Sequence, residues 1–257
     1  MKKQRSIAVL GCGPMGLLVA HAVIQAGHRP YVYSIKKKSV IPGSQHLHGP
    51  IPGGVTPLYP EGTIQFVRLG TAAGYAEKVY GDKGRETGWD NYLQVYPSWN
   101  VIKAYNTLWG WYEDLITDLD IRSIDKTSLF NQYDLVISTL PAGILCYDPS
   151  HRFNGVSYYI KPLPTPPEDA RHEIVVYNGL LSDPWYRWSI LGGQTSIEAT
   201  HDIWMGDPTV ITGTKAVDHT CDCWPEVVRC GRWAEWRHGI TMHRSYLRAE
   251  MILDGLL

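Results

Sequence analysis

Gly11, Gly13 and Gly16, with Cys12, Pro14 and Met15 between them, form a G-x-G-x-x-G run suited to one chemical task. Glycines at these intervals let a backbone turn tightly, approach a pyrophosphate and press a helix against a strand. The elements that must position them lie on either side. Residues 6–10 read as a short buried strand, 17–26 as a helix closed by Gly27, and 30–33 as a second strand. In that context the helix start turns free N–H groups and its positive dipole end toward phosphate oxygens. Gly11, Gly13, Pro14, Met15 and Gly16 are therefore candidate dinucleotide contacts. The acid that usually takes the ribose hydroxyls at the end of the second strand is replaced by Ser34. A serine can still bond a hydroxyl. Ser34 with Lys36, Lys37 and Lys38 after it also suits a 2′-phosphate, so the motif leaves FAD and NADP both open.

Other groups could do chemistry further along. The segment Ser44-Gln45-His46-Leu47-His48-Gly49-Pro50 continues into Pro52-Gly53-Gly54, a rigid backbone carrying two histidines. His46 and His48 are candidate acid/base groups, and surface loop histidines are the plainer reading. Residues 105–119 are helical by period, with Leu108, Trp111, Leu115 and Ile116 as the inner stripe and Trp109 off it, free for a contact. Residues 157–160, 173–177 and 185–190 are rich in β-formers between Pro and Gly turns, and suggest an inserted antiparallel sheet. On it Tyr186 and Trp188 should share one face, with Trp185 and Arg187 on the other. Arg187 either binds an anionic substrate group or pairs with Glu198. His219-x-Cys221-x-Cys223 with Cys230 invites a zinc site, but C-x-C lacks a matching second pair, so ordinary thiols and no metal are the expectation. Neither G-x-S-x-G nor His-Glu-x-x-His occurs, so no nucleophilic triad or zinc-protease site is legible.

Composition bounds these readings. The chain has 257 residues, 24 Lys+Arg against 25 Asp+Glu, and 44% hydrophobic residues, which excludes a disordered chain and argues against an electrostatically driven nucleic-acid binder. Five cysteines without a framework rhythm, and no apolar run long enough for a membrane span, point to a soluble, cytoplasmic protein. Lys2, Lys3 and Arg5 before an apolar run mimic a signal peptide, but the glycine turn breaks that run. With 16 Tyr and 10 Trp against 3 Phe, the aromatics are mostly the kinds that carry a polar tip and grip ligands.

Two downstream segments extend the pattern. Tyr133-Asp134-Leu135-Val136-Ile137-Ser138-Thr139-Leu140-Pro141-Ala142 is a buried strand ending in Thr-x-Pro, and Gly231-Arg232-Trp233 forms a turn before an apolar-periodic helix over 240–253. Together with the fingerprint they resemble the glutathione-reductase-type FAD superfamily, in its amine-oxidase and UDP-galactopyranose-mutase-like branch. The resemblance implies an α/β fold: a Rossmann-like FAD-binding domain (1–55, 98–155 and 205–257) with a small inserted antiparallel β-sheet substrate domain (56–97 and 156–204). It implies FAD as cofactor, Ser34 in the place of the ribose-binding acid, Pro141 near the dinucleotide, Gly231, Arg232 and Trp233 toward the flavin, and Gln45 and His48 in a loop beneath it. Tyr186, Arg187, Trp109, His46 and His48 are then the candidates to meet substrate. The implied activity is an FAD-dependent oxidoreductase or lyase acting on a C–N bond, with an amine-bearing substrate. Phage flavoproteins that trim amino-acid-bearing thymines in DNA are similar in class, so the amine belongs to a small molecule or to a modified nucleotide in DNA. An NADP(H)-dependent reductase and a non-catalytic nucleotide-binding interaction protein are the alternatives.

Overall fold

The computed structural model describes residues 4–41, 43, 45–47, 51, 63–82, 84, 96–97, 99–164 and 173–255. His48 and most of the 44–54 loop lie outside the described residues. The chain opens with β1 (Ser6–Leu10), α1 (Pro14–Gln25) and β2 (Arg29–Ser34), then β3 (His46–Leu47), β4 (Thr63–Gly70), α2 (Ala72–Tyr80), β5 (Tyr96–Pro97) and β6 (Trp99–Asn100). Next come α3 (Val101–Tyr112), β7 (Ile116–Asp118), α4 (Lys126–Phe130), β8 (Leu135–Ser138) and α5 (Ala142–Leu145). The rest is β9 (Phe153–Leu163), β10 (Ile174–Gly179), β11 (Trp185–Leu191), β12 (Gln194–Ala199), β13 (Ile211–His219), β14 (Val228–Arg229), α6 (Arg232–Glu235) and α7 (Met242–Asp254).

Two main sheets result. A parallel sheet of order β14-β8-β1-β2-β7 is Rossmann-like, and α1 packs on it with α3 and α7 alongside. α1 is apolar around its whole circumference, and Met15 through Val23 are all buried, as a helix enclosed on every side requires. The second sheet, β13-β9-β12-β11-β10-β4-β5, is mostly antiparallel, with β10 and β4 parallel. This is the expected α/β architecture with its inserted sheet. One boundary differs: β13 lies in 205–257, expected with the nucleotide domain, yet it pairs with β9 along its length. The chain returns to the parallel sheet only at β14. No helix among the described residues is long and apolar enough to cross a membrane.

The helix expected over 105–119 also differs. α3 starts earlier, where the Asn100 side chain accepts from the Lys103 N–H at 2.9 Å, and ends at Tyr112. Ile116 is needed as a strand residue opposite Val32, so the chain tightens through a single 3₁₀ turn and extends. The buried stripe is Val101, Ala104, Tyr105 and Leu108; Leu108 keeps its expected inner place, but the helix ends before Leu115 and Ile116 can extend the stripe. Trp111, in the last turn, is 46% exposed, while Trp109 packs against the core.

In the second sheet, β11 and β12 join through Gly192 and Gly193, both at positive φ, as a tight hairpin turn requires. The Gly192 N–H donates to the buried carboxylate of Glu173 at 2.8 and 2.9 Å. Burial outweighs that bond and pushes the Glu173 carboxyl up to about 7. A folded-state value above the unfolded one adds stability below about 4.5, which is lost as pH rises through about 7. Glu173→Gln, which keeps an acceptor for Gly192 but no charge, is expected to match the parent near pH 5. At pH 8 it should exceed it by up to about 3 kcal/mol in urea unfolding. Equal stability of the two proteins at pH 8 would contradict a buried, ionising Glu173.

Candidate active site

The fingerprint forms a cradle at the carboxyl ends of β1 and β8. Gly11, at φ +104°, turns the chain out of β1 and donates its N–H to the Tyr33 carbonyl at 2.8 Å. Thr139 caps the neighbouring strand, its backbone N–H and its hydroxyl both reaching the Leu10 carbonyl, at 2.8 and 2.9 Å. A Cβ on Gly16 would stand 2.0 Å from the Gly11 oxygen, so only glycine lets α1 start this close to β1. Gly13 is the N-cap and Pro14 opens the helix, with no capping side chain and no acid in the first turn. The leading N–H groups therefore remain for a ligand.

Gly231 closes the cradle from the far end of the chain. It sits at φ +106° against Met15, where an added Cβ would approach Met15 Cγ to 3.0 Å, and the preceding Cys230 N–H donates to the Ser138 carbonyl at 2.9 Å. Arg232 and Trp233 then begin α6, Trp233 edge-on to Trp236 with ring centroids 5.5 Å apart. Pro141 caps α5 two residues beyond Thr139. The structure thus brings Gly11, Gly13, Pro14, Met15, Gly16, Pro141, Gly231, Arg232 and Trp233 to one end of the parallel sheet.

At the end of β2, Ser34 is buried and lies in register with Asp118 of β7, a residue the sequence did not single out. The Asp118 carboxylate accepts the Lys36 N–H at 3.0 Å. The acid that β2 lacks is present one strand over, a placement unfavourable to a 2′-phosphate. Tyr105 was also missed: its hydroxyl donates to the Cys12 carbonyl at 3.1 Å and accepts from the Ser39 N–H at 3.0 Å, tying the glycine turn to the segment after β2. Trp109 belongs to this side. Its indole N–H donates to Glu113 at 2.7 Å, and Lys38 lies 5.9 Å from its ring.

A second group of residues occupies one face of the larger sheet. Cross-strand register places Tyr177, Arg187, Glu198, Ile160, Tyr158 and Lys215 on that face. A bulge between Trp185 and Arg187 breaks the expected alternation. It lets consecutive side chains reach one carboxylate: the Tyr186 hydroxyl donates to Glu198 Oε2 at 2.6 Å, and Arg187 Nε donates to Oε1 at 2.8 Å. The Arg187–Glu198 ion pair is formed, and Tyr186 is fully buried. Lys215 Nζ lies 3.8 Å from the Tyr186 ring centroid.

The charges are unequal in their settings. Burial alone would raise Glu198, but Arg187, Lys215 and the Tyr186 hydroxyl hold it below the ordinary carboxylate range. Burial lowers Lys215 to about 7, against the opposing pull of Glu198 and with help from Arg187 and Arg232. That influence of Arg232 links this face to the Gly231 turn. A Cβ on Gly43 would lie 3.5 Å from Glu198 Oε1, so the loop after β2 crosses the same face. His46, in β3, pairs with Asn100 and faces the Phe66 ring at 5.6 Å, with Gln45 half-buried before it. Lys215, the amine nearest to a usable base here, was missed because β13 was not legible as part of this sheet.

No family model matches the sequence, and no curated protein matches it. Solved structures do match by shape. The p-nitrophenol 4-monooxygenase PnpA from Pseudomonas putida DLL-E4 superposes with a TM-score of 0.59 at 13% identity, over 100% of this chain and 80% of that one. Reduced UDP-galactopyranose mutase gives 0.56 at 12%, over 98% and 95%. HpxO from Klebsiella pneumoniae, complexed with FAD and uric acid, gives 0.54 at 13%, over 98% and 79%. At these identities the likeness is one of fold alone: a parallel, Rossmann-like sheet joined to a separate, mostly antiparallel one.

Proposed function

We propose that this chain is an FAD-dependent oxidoreductase of amine-oxidase type, which oxidises an amine and so cleaves a C–N bond. The residues present fit the cofactor. The glycine cradle, the uncapped start of α1 and the Gly231 turn against Met15 suit a dinucleotide pyrophosphate, held by Gly11, Gly13 and the N–H groups of Met15 and Gly16. Asp118 beside Ser34 is proposed to serve the ribose. When bound, a flavin would supply a two-electron acceptor for hydride from the carbon next to nitrogen.

The observation that carries the amine reading is Lys215, an amino group held near pKa 7 beside ionised Glu198 and close enough to Arg232 to feel its charge. A neutral lysine can take the proton from a substrate ammonium, leaving the amine uncharged for oxidation. Arg232 is proposed to orient an acidic substituent, and Tyr158 to dry the face above Lys215. Water then hydrolyses the resulting imine. The substrate class is an amino-acid-like amine, and we extend the proposal to one carried on a thymine in DNA, with Trp233 beside Arg232 offering a ring for an extruded base.

The test is mass spectrometry of ligand released from denatured protein, then aldehyde and peroxide detection against glycine-like amines, modified thymidine and modified DNA. A colourless protein that binds NADPH instead would favour the reductase alternative. Bound flavin with no turnover of any amine would leave an interaction protein. Lys215→Met is expected to keep flavin and lose about 10²-fold or more in kcat/KM. In the parent, kcat/KM should rise with pH to a plateau above about 7, because the base acts deprotonated, and this limb should vanish in the variant. An unchanged profile in Lys215→Met removes the lysine from the reaction.

A further inference from the structure

We propose that Cys146, His151, Cys221 and Cys223 bind a structural zinc ion that ties together two of the chain's crossings between the sheets. The sequence grouped Cys221 and Cys223 with His219 and Cys230, and ordinary thiols without a metal were the expectation. The fold sorts them differently. Cys230 is fully buried in the core beside α1, and the His219 ring accepts the Cys221 N–H at 2.9 Å. Cys146 and His151 arrive instead from the segment between α5 and β9.

The four ligand atoms all lie within 4.8 Å of one another. Cys146 Sγ is 3.9 Å from Cys223 Sγ and 3.4 Å from His151 Nδ1, and Cys223 Sγ is 3.6 Å from that nitrogen. Tetrahedral zinc with ordinary bond lengths has S···S edges of about 3.8 Å and S···N edges of about 3.5 Å. These three edges of the cluster already have that size. Three thiols and an imidazole suit zinc over harder cations, and four protein ligands leave no open position for catalysis.

The surroundings match a bound cation. His151 would bind through Nδ1, and its Nε2 faces Asp148 at 3.6 Å and Asp222 at 3.5 Å, the carboxylate setting that orients a metal-bound imidazole. Three thiolates and one dication leave a net negative charge. Arg229 stands against it, with Nη2 3.4 Å from Cys221 Sγ and donating to the Cys223 carbonyl at 2.8 Å. Cys221 and Cys223 are buried, so unpaired thiolates would be costly there without the metal.

The placement gives the ion a task. Residues 146–152 leave the parallel sheet for β9, and 220–227 return from β13 to β14. One zinc joining the two crossings fixes the larger sheet, with Lys215 on it, against the sheet that carries the fingerprint.

The experiment is elemental analysis of the full chain purified without added metal or chelator. About one zinc per chain is expected, released by an organomercurial thiol reagent. Cobalt-substituted protein should show sulfur-to-cobalt charge transfer and tetrahedral ligand-field bands. Cys223→Ser and His151→Ala should lower zinc content about tenfold or more, whereas His151→Cys, which preserves four ligands, and Cys230→Ala should keep it. The His151 pair separates lost ligation from lost folding. Protein free of zinc, iron in its place, zinc retained in Cys223→Ser, or a Cys146–Cys223 disulfide in the native chain would each overturn the proposal.

Discussion

Glu198→Ala is expected to cost about 3–5 kcal/mol of stability, the scale for breaking a buried ion pair from one side. Glu198 is 1% exposed and satisfies Arg187 and Tyr186 together. Its removal leaves a guanidinium in the sheet with no carboxylate and a buried tyrosine hydroxyl with no acceptor. Replacing both charges, as Arg187→Met with Glu198→Leu, should recover most of the loss, because the cost lies in the unpaired charge rather than in the absent attraction. Urea unfolding of the three proteins checks this. A loss below about 1 kcal/mol in the single variant would mean that solvent reaches Arg187. A second readout separates chemistry from folding. Glu198 is the group that holds the Lys215 value up, so in Glu198→Gln the rising limb of the rate profile should move to lower pH.

Gly16→Ala and Gly13→Ala should fail in different ways. A methyl on Gly16 meets the Gly11 oxygen at 2.0 Å and the Gly11 carbonyl carbon at 2.7 Å, and α1 is buried along its length and cannot retreat. We expect about 3 kcal/mol or more of lost stability, at the upper end for overpacking, because backbone rather than a side chain must move. At Gly13 the same methyl meets only Ser39 Oγ, at an ordinary 3.5 Å, on a backbone with φ −67° that alanine adopts freely. The cost to the protein alone should stay within about 1 kcal/mol, the scale of an N-cap change. The methyl does occupy the space above the helix start. Gly13→Ala should therefore fold and bind flavin at least about tenfold more weakly, whereas Gly16→Ala should lose both. Flavin bound normally by Gly13→Ala would displace the pyrophosphate from the start of α1.

How far the site was legible follows from distance along the chain. The unit β1–α1–β2 was readable because its determinants are local: an apolar run, three glycines at fixed spacing, Pro14 at the helix start and Gly27 after its end. Pro141 and Gly231 each follow a strand that carries its own signal, and the structure brings both to the end of the parallel sheet. The second sheet was legible as strands but not as a surface. Arg187 opposite Glu198 follows from a short hairpin, yet the bulge that brings Tyr186 to the same carboxylate has no mark in the sequence. In α3, several apolar stripes were compatible with the period, and only the pairing of Ile116 with Val32 decided where the helix stops.

By itself, then, the sequence determined the glycine turn between β1 and α1 and the presence of strands for a second sheet, since both rest on signals carried by residues close in the chain. The tertiary structure alone decided which charges meet. Lys215 comes beside Glu198 only because β13 folds back along β9, and Asp118 stands beside Ser34 only because β7 extends the parallel sheet past β2. Cys146 and Cys223 lie 77 residues apart, so no spacing rule could join them. Strand register brings such groups within reach, and register is set by how entire faces bury their apolar side chains, not by any residue's near neighbours.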